Sequence, residues 1–135
     1  MDFVTGTYDA KENVLRLSHP HPVTLGDPVT VEQFFEEVSR IIADCHAQPY
    51  LLVDYTNLEI SANMTQEYAR QVKAYRPGVR GVYRYNLSGN TEGVLTQVAV
   101  LIANRQDANI FPDEAAARAA MGRAREAERA ASGGR

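Results

Sequence analysis

The feature that most constrains this chain is the apolar run Tyr50-Leu51-Leu52-Val53, which ends in the acid Asp54. Pro49 introduces the run, and segments with helical spacing of apolar residues precede and follow it. A short aliphatic run of this kind is typical of a buried strand. A buried strand between helices predicts a parallel or mixed sheet with helices on its faces. Asp54 would then stand at the carboxyl end of the strand, where open α/β sheets usually place their sites.

Length and composition limit the class of protein. A chain of 135 residues with ordinary apolar and charged fractions predicts one globular domain. The formal net charge of −3 gives no general attraction to nucleic acid or anionic lipid. Cys45 is the only cysteine, which excludes a disulfide within the chain. No apolar stretch approaches the roughly 20 residues of a membrane helix, and no signal peptide is visible, so we expect a cytoplasmic protein.

The residues before the central run predict three strands and a turn. Phe3 to Tyr8 and Val14 to Leu17 have strand patterns on either side of a polar turn, which indicates a hairpin. Val23 to Leu25 is a short third strand. Gly26 to Pro28 is a predicted turn.

A long amphipathic helix is predicted next. Thr30 and Gln33 have the spacing of a capping box at a helix start. The apolar residues that follow recur at spacings of three and four and form one stripe: Val31, Phe34, Phe35, Val38, Ile41, Ile42 and Cys45. The charged residues fall on the other side and predict a solvated face: Glu32, Glu36, Glu37, Arg40 and Asp44.

The rest of the chain alternates between loop, helix and strand patterns. The predicted elements are a loop at Tyr55 to Asn63, a helix to Tyr75 capped by Asn63 or Thr65, a strand at Val82 to Leu87, a helix at Val94 to Ile102, a strand at Asn109 to Phe111 and a helix from Pro112 to Met121. Residues 122–135 predict an exposed, partly disordered tail after a domain of residues 1–121. The expected fold is a single α/β domain with a mixed, mainly parallel sheet of about five strands and about four helices.

This order, with the strand Leu51 to Asp54 followed by Leu58, Ile60 and a helix, resembles the STAS-like superfamily. That superfamily includes bacterial anti-sigma-factor antagonists and small STAS/CRAL-TRIO-like domains. The segment Asn109 to Ala115 is similar to the last strand and helix of the small domains, and the resemblance spans residues 3–121. It implies a non-catalytic domain that binds a protein partner in bacterial signalling, or a carrier of a lipid or small molecule.

The antagonists carry an acid-serine-serine-glycine motif at the start of the helix after this strand, and a partner kinase phosphorylates one of its serines. The matching positions hold Ala62, Asn63, Met64 and Thr65, so the acceptor serine, the acid and the glycine are absent. Ser61 and Thr65 flank the place, and a phosphate there would be favoured at a helix N-terminus. We expect these hydroxyls to serve as caps and turn residues instead.

Two further patterns could bind ions, and each has a simpler structural interpretation. His19 and His21 point the same way in an extended segment and could bind a metal with His46, but a rigid surface turn between prolines is favoured. Ser88 to Gly93 joins a strand to a helix, and its amides could hold a phosphate or carboxylate. A capped turn is the favoured interpretation there.

Tyrosines and arginines cluster near the predicted strand Val82 to Leu87. Tyr83 and Tyr85 are expected on one face and Arg84 on the other, where Asp54 of a neighbouring strand is a candidate partner. Nucleic-acid stacking is an alternative that the net acidity disfavours, and we favour tyrosines packed under a helix with arginines reaching outward. An isolated acid such as Asp54 more often accepts loop amides than acts as a base.

We therefore predict a non-catalytic binding domain, without metal or cofactor, that contacts a protein partner or a small apolar or anionic ligand. The predicted surface lies at the carboxyl end of the central strands, where loops can vary without unfolding the core. Its residues are Asp54, Tyr55, Thr56, Ser61, Asn63, Thr65, Ser88, Asn90 and Thr91. A lipid or small-molecule carrier with an enclosed cavity is the alternative, followed by a small enzyme with Asp54 or His46 as base. The hairpin or the last helix could support a homodimer.

Overall fold

The computed structural model of the protein describes residues 3–45, 47–86 and 110–133. The strands in these ranges are β1 (Thr5–Asp9), β2 (Val14–Ser18), β3 (Val23–Leu25), β4 (Tyr50–Asp54), β5 (Leu58–Ile60), β6 (Gly81–Tyr85) and β7 (Ile110–Phe111). The helices are α1 (Pro28–Ala43), α2 (Thr65–Tyr75) and α3 (Glu114–Gly133), with 3-10 turns at Ala62–Met64 and Arg76–Gly78.

Five strands form one mixed sheet in the order β1-β2-β4-β6-β7. β1 and β2 form the predicted antiparallel hairpin, and the other neighbouring pairs are parallel. β4 is the middle strand, with Leu51 opposite Leu15 of β2 and Val82 of β6. The predicted α/β class and mainly parallel five-stranded sheet are therefore confirmed. Because β2, β4, β6 and β7 run the same way, their carboxyl ends lie along one edge of the sheet.

The sheet lies between two layers of helices. Leu51 and Val53 belong to the core that the sheet forms with α1 and α2. Tyr50 and Leu52 face the other way and form a second core with Ala117 of α3. Leu51 and Leu52 are both fully buried, so the central strand is covered on both faces, as its continuous apolar run predicted. Burial of each such leucine contributes roughly 1.5–3 kcal/mol.

Helix α1 begins earlier than the capping-box pattern predicted. Asp27 is its N-cap, and Pro28 occupies its first turn. The carboxylate of Asp27 accepts hydrogen bonds from both the amide and the hydroxyl of Thr30, each at 2.9 Å. Pro28 of the predicted turn therefore belongs to the helix, and the predicted cap at Thr30 is wrong. Asp is a strong N-cap residue, and Pro suits the first helical turn because it lacks an amide proton that would go unsatisfied there.

The solvated face predicted for α1 is also wrong at one position. Glu37 is 5% exposed, and its Oε1 accepts the backbone amide of Val4 at 2.9 Å. The carboxylate thus joins α1 to the residues before β1. Glu36, its neighbour along the helix, is exposed as predicted.

A small second sheet covers one side of the α1 core. The predicted loop from Tyr55 to Asn63 contains β5, which pairs in parallel with β3. The inward side chains of this two-stranded sheet are buried, namely Val23, Leu25, Leu58 and Ile60. Thr24 and Glu59 pair in the middle of it and are exposed. The two strands therefore form a half-buried cover with a polar outer face.

Helix α3 runs further than predicted. The sequence predicted a helix that ended near Met121, but the helix continues to Gly133, so the predicted tail of residues 122–135 is helical as far as that residue. Arg125 anchors this part, since its Nη1 lies 2.8 Å from Oε2 of Glu12 and its guanidinium lies 5.4 Å from the ring centre of Tyr50. Alanine and arginine favour helix, which explains the extension.

Three α-helices are present in the described ranges, rather than the four predicted. The predicted helix at Val94 to Ile102 lies outside those ranges. None of the described helices is both long enough and apolar enough to cross a membrane.

Candidate functional site

Asp54 ends β4 and holds two turns at the carboxyl edge of the sheet. Its Oδ1 accepts the backbone amide of Thr56 at 2.9 Å and Nδ2 of Asn86 at 3.2 Å. Its Oδ2 lies 3.3 Å from Nη2 of Arg16 on β2. Asp54 therefore accepts a loop amide, as predicted. The predicted pairing of Asp54 with Arg84 is wrong, because Arg84 lies opposite Val53 and projects to the other face of the sheet.

The electrostatic setting keeps the Asp54 carboxyl ionised. Burial raises its pKa, but the hydrogen bonds from Thr56 and Asn86 and the charge of Arg16 outweigh that effect, and the pKa lies below its ordinary value. A general base works best when its pKa is near the working pH. A carboxylate with a lowered pKa and several protein donors is better suited to fixing turns than to taking up protons.

The same network reaches the start of α3. Nε of Arg16 lies 3.6 Å from Oε1 of Glu114, and the Tyr85 hydroxyl donates to that oxygen at 3.1 Å. Burial raises the pKa of Tyr85 to about 12, so its hydroxyl remains a donor at neutral pH. We call Arg16, Asp54, Tyr85, Asn86 and Glu114 the Asp54 cluster. The cluster ties β2, β4, β6 and α3 together at one edge of the sheet.

His19 is part of the core rather than of a surface turn. It is 5% exposed, its Nδ1 lies 2.9 Å from the backbone oxygen of Asp54, and its ring stacks on Phe34 with centres 5.7 Å apart. The predicted surface position of His19 is therefore wrong. His21 is exposed, and His46 lies outside the described residues. The ranges 3–45, 47–86 and 110–133 contain no group of three or more metal-ligating side chains close enough to share an ion.

Tyr55, a predicted site residue, has a buried side chain. It is 3% exposed, and its hydroxyl lies 2.8 Å from that of Tyr68. Arg84 is 2% exposed and interacts with the hydroxyls of Tyr55, Tyr68 and Tyr75. Arg84 therefore points inward, and the prediction that it reaches outward is wrong. Burial raises the pKa of Tyr75 to about 12, against the opposing charge of Arg84.

An open pocket of about 550 Å³ lies beside the Asp54 cluster. We call it the carboxyl-end pocket, and its lining residues are Pro22, Val23, Thr24, Tyr55, Thr56, Asn57, Leu58, Glu59 and Asn86. Asn57 and Asn86 shape its turns with φ angles of 69° and 61°, in the left-handed region that Asn tolerates better than most residues. Sequence reasoning missed both asparagines. The available signal was an Asn closely following each of two strands.

The structure separates the predicted site into two regions. Thr56 lines the pocket, whereas Ser61, Asn63 and Thr65 follow the far end of β5, roughly 10 Å of strand away. Thr65 is 6% exposed, and its hydroxyl donates to the backbone oxygen of Ala62 at 2.8 Å. Ser88, Asn90 and Thr91 lie outside the described residues.

The predicted caps of α2 are wrong. Met64 is the N-cap of α2 and makes no side-chain capping bond. Asn63 belongs to the preceding 3-10 turn and is exposed, and Thr65 is the first residue of the helix. Because the 3-10 turn occupies Ala62–Met64, α2 starts two residues after Asn63.

Two other spaces in the molecule differ from this pocket. The void between the sheet and α1 and α2, bordered by His19 and Phe34, measures only about 10 Å³. A groove of about 530 Å³ lies at the other end of the molecule, beside Cys45 and Tyr75. Burial raises the pKa of the Cys45 thiol, which disfavours the reactive thiolate.

No family model, no curated protein and no solved structure matches this chain. The resemblance to STAS-like domains stays a prediction. The functional conclusion therefore depends on the Asp54 cluster and the pocket beside it.

Proposed function

We propose that this protein is a non-catalytic binding domain of STAS-like type that holds a protein partner at the carboxyl-end pocket. The observation that carries the proposal is the double role of Thr56 and Asn86, which line the pocket and also bind Asp54. The turns that carry Thr56 and Asn86 are thus fixed before a partner binds. A preorganised surface of this kind loses less conformational entropy on binding.

The charges near the pocket support binding over acid–base catalysis. Asp54 and Glu114 both lie near Arg16, and Glu114 also accepts a hydrogen bond from Arg118 at 2.7 Å. The pKa of Glu114 is lowered despite its partial burial. The hydrogen bond from Arg118 is the main cause, and Tyr85 and Arg16 make smaller contributions. Both carboxyls are therefore ionised acceptors at neutral pH.

The test is photocrosslinking in cells of the native host. A benzophenone amino acid at Thr24, exposed in the pocket wall, should capture a discrete partner that mass spectrometry identifies. The same probe at Lys73, exposed on α2, is the matched control and should not give that adduct. Thr56→Arg, which fills the pocket, should abolish the Thr24 adduct. Identical adducts from Thr24 and Lys73, or an adduct that survives Thr56→Arg, would refute the proposal.

A small-molecule carrier is the second candidate, favoured by one observation. The pocket volume of about 550 Å³ lies within the usual 300–1,000 Å³ of ligand sites. The 10 Å³ void in the core is too small for a lipid, so among the described residues a carrier would need an open site such as this pocket. Native mass spectrometry of purified protein should then show a bound mass, and repeatedly empty protein would count against this function.

Of the two hydroxyls that flank the degenerate motif, Ser61 is the more accessible to a kinase. Thr65 is buried and bonded to Ala62, so a kinase could reach its hydroxyl only if the turn opened. Ser61 is half-buried, and its backbone amide donates to the oxygen of Leu25 at 3.0 Å. Phosphoproteomic analysis of the native host protein would detect a modified Ser61 if this site is used.

A further inference from the structure

The carboxyl-end pocket offers a particular chemistry, and the inference drawn from it rests on the proposed binding function. We propose that the pocket takes a cationic, donor-rich group, namely the guanidinium or ammonium of a basic side chain on the partner protein. The preference follows from which hydrogen-bonding atoms of the lining are already engaged within the protein.

The two pocket asparagines use their amide nitrogens internally. Nδ2 of Asn86 donates to Oδ1 of Asp54 at 3.2 Å and to Oγ1 of Thr56 at 3.3 Å. Nδ2 of Asn57 donates to the backbone oxygen of His19 at 3.0 Å. A carboxylate and a carbonyl only accept, so these contacts fix which end of each amide is the nitrogen. The Oδ1 atoms of Asn57 and Asn86 are left as acceptors without a partner in the described part of the chain.

The donors of Thr56 are engaged in the same way. Its backbone amide donates to Oδ1 of Asp54 at 2.9 Å, and its hydroxyl also interacts with that carboxylate. The hydroxyl of Tyr55 is paired with Tyr68 in the core. Of the lining side chains within the described residues, the Thr24 hydroxyl and the second N–H of Asn57 Nδ2 are the donors that these bonds do not use. The pocket is therefore rich in acceptors and poor in donors.

The charge of the lining residues also favours a cationic ligand. Glu59 is exposed in the middle of β5 and is the only charged residue among the described lining residues. It makes no ion pair within those residues. Among the described lining residues, a carboxylate or phosphate would meet Glu59 and two amide oxygens and no cation. A guanidinium has five N–H donors and an ammonium three, and neither has an acceptor.

The sequence analysis named a small apolar or anionic ligand beside a protein partner. The anionic ligand was suggested in part by the amides of Ser88 to Gly93, which lie outside the described residues. Asp54 does not add a free negative charge to the pocket, because Arg16 pairs with it. Glu59 is therefore the charge that should select the ligand.

The test is an NMR titration of the full-length, ¹⁵N-labelled protein with three capped tripeptides, which are Gly-Arg-Gly, Gly-Gln-Gly and Gly-Glu-Gly. The arginine peptide should shift the amide signals of Thr24, Asn57, Glu59 and Asn86, and the other two should not. Glu59→Gln should weaken arginine-peptide binding roughly fivefold, and high salt should weaken it further. Glu36→Gln, at an exposed acid on α1, is the matched control and should leave the affinity unchanged.

Equal shifts with the glutamate peptide, or unchanged affinity in Glu59→Gln, would overturn the inference. Putrescine provides a separate arm, and tighter binding of putrescine than of the arginine peptide would overturn the assignment to a protein side chain. The cation preference and the protein-binding function can be rejected independently of each other. A Thr24 photoadduct without arginine-peptide binding would reject the cation preference alone, whereas arginine-peptide binding without an adduct would reject the protein partner.

Discussion

The Nδ1 atom of His19 lies 2.9 Å from the backbone carbonyl oxygen of Asp54. A carbonyl only accepts, so the neutral ring carries its proton on Nδ1. Asn57 completes the connection by donating to the carbonyl oxygen of His19 at 3.0 Å. A buried imidazole therefore joins the segment after β2 to the turn that borders the carboxyl-end pocket.

The burial of His19 predicts a loss of stability in mild acid. Burial lowers the pKa of His19, against the opposing effect of the Asp54 carbonyl and charge. The unfolded chain therefore binds a proton at higher pH than the folded protein does. The contribution of the neutral His19 ring to the free energy of unfolding is complete above about pH 6.5. It declines as the pH falls toward the lowered pKa of His19 in the folded protein. Urea unfolding should show a smaller free energy of unfolding at pH 5.5 than at pH 7.5.

Two histidine variants separate this effect from other titrations. His19→Gln keeps a donor for the Asp54 carbonyl and should reduce the pH dependence. His21→Gln changes an exposed ring and should leave the dependence as it is. If the free energy of unfolding depended equally on pH in wild type and in His19→Gln, His19 would not be the cause of the acid sensitivity.

Removal of the Asp54 carboxylate should destabilise the fold and loosen the pocket. Asp54→Ala removes the acceptor for Thr56 and Asn86 and the partner of Arg16. The expected loss is about 2–4 kcal/mol in the free energy of unfolding, measured by urea denaturation. Asp44→Ala, at an exposed acid near the end of α1, should change it by less than about 0.5 kcal/mol. Equal effects of the two variants would contradict the structural role of Asp54.

Glu36 and Glu37 offer a matched pair on one helix. Glu37→Ala leaves the Val4 amide without its acceptor and should cost about 1–3 kcal/mol. Glu37→Gln keeps an acceptor and should cost less, and Glu36→Ala, at an exposed position, should be near neutral. Chemical denaturation of the three variants checks the order, and a near-neutral Glu37→Ala would argue against the buried contact.

Two glycines should respond to alanine in opposite directions. A Cβ on Gly6 would overlap Cγ2 of Ile41, so Gly6→Ala should destabilise the protein by about 1–3 kcal/mol. Gly122 lies inside α3, and the position that an added Cβ would take there has no neighbouring atom within 4 Å. Gly122→Ala should therefore stabilise the protein by about 0.5–1 kcal/mol, because alanine favours helix over glycine. Thermal and urea unfolding measure both effects.

A double-mutant cycle tests the cause of the Gly6 effect. In the Ile41→Ala background the obstructing Cγ2 is gone, so Gly6→Ala should cost less than in wild type. Strict additivity would mean that Ile41 is not the obstacle.

The sequence predicted the features that depend on local periodicity. Leu51 to Val53 is apolar at every position, which fits a strand covered on both faces. Val31, Phe34, Phe35 and Val38 recur at helical spacing, and all four are buried under α1. In both segments a single pattern determines both the secondary structure and the side that packs.

The polar interior could not be predicted in this way. Asp54 binds Asn86, 32 residues away, and Val4 binds Glu37, 33 residues away. Such contacts depend on which elements cross in space, and no local pattern records that. The same reason explains the buried positions of His19 and Arg84, which the sequence had placed at the surface. The STAS-like resemblance and the partner stay predictions.

Helix α3 has a consequence for how the protein is made. Its residues Ala117 and Met121 cover Tyr50, Leu52, Tyr83 and Tyr85, which precede it by about 30 residues or more in the chain. On the ribosome, at roughly 5–20 residues per second, these side chains must wait seconds for that cover. The nascent chain should therefore depend on chaperones until α3 emerges, with the tyrosine-rich face as the surface they shield.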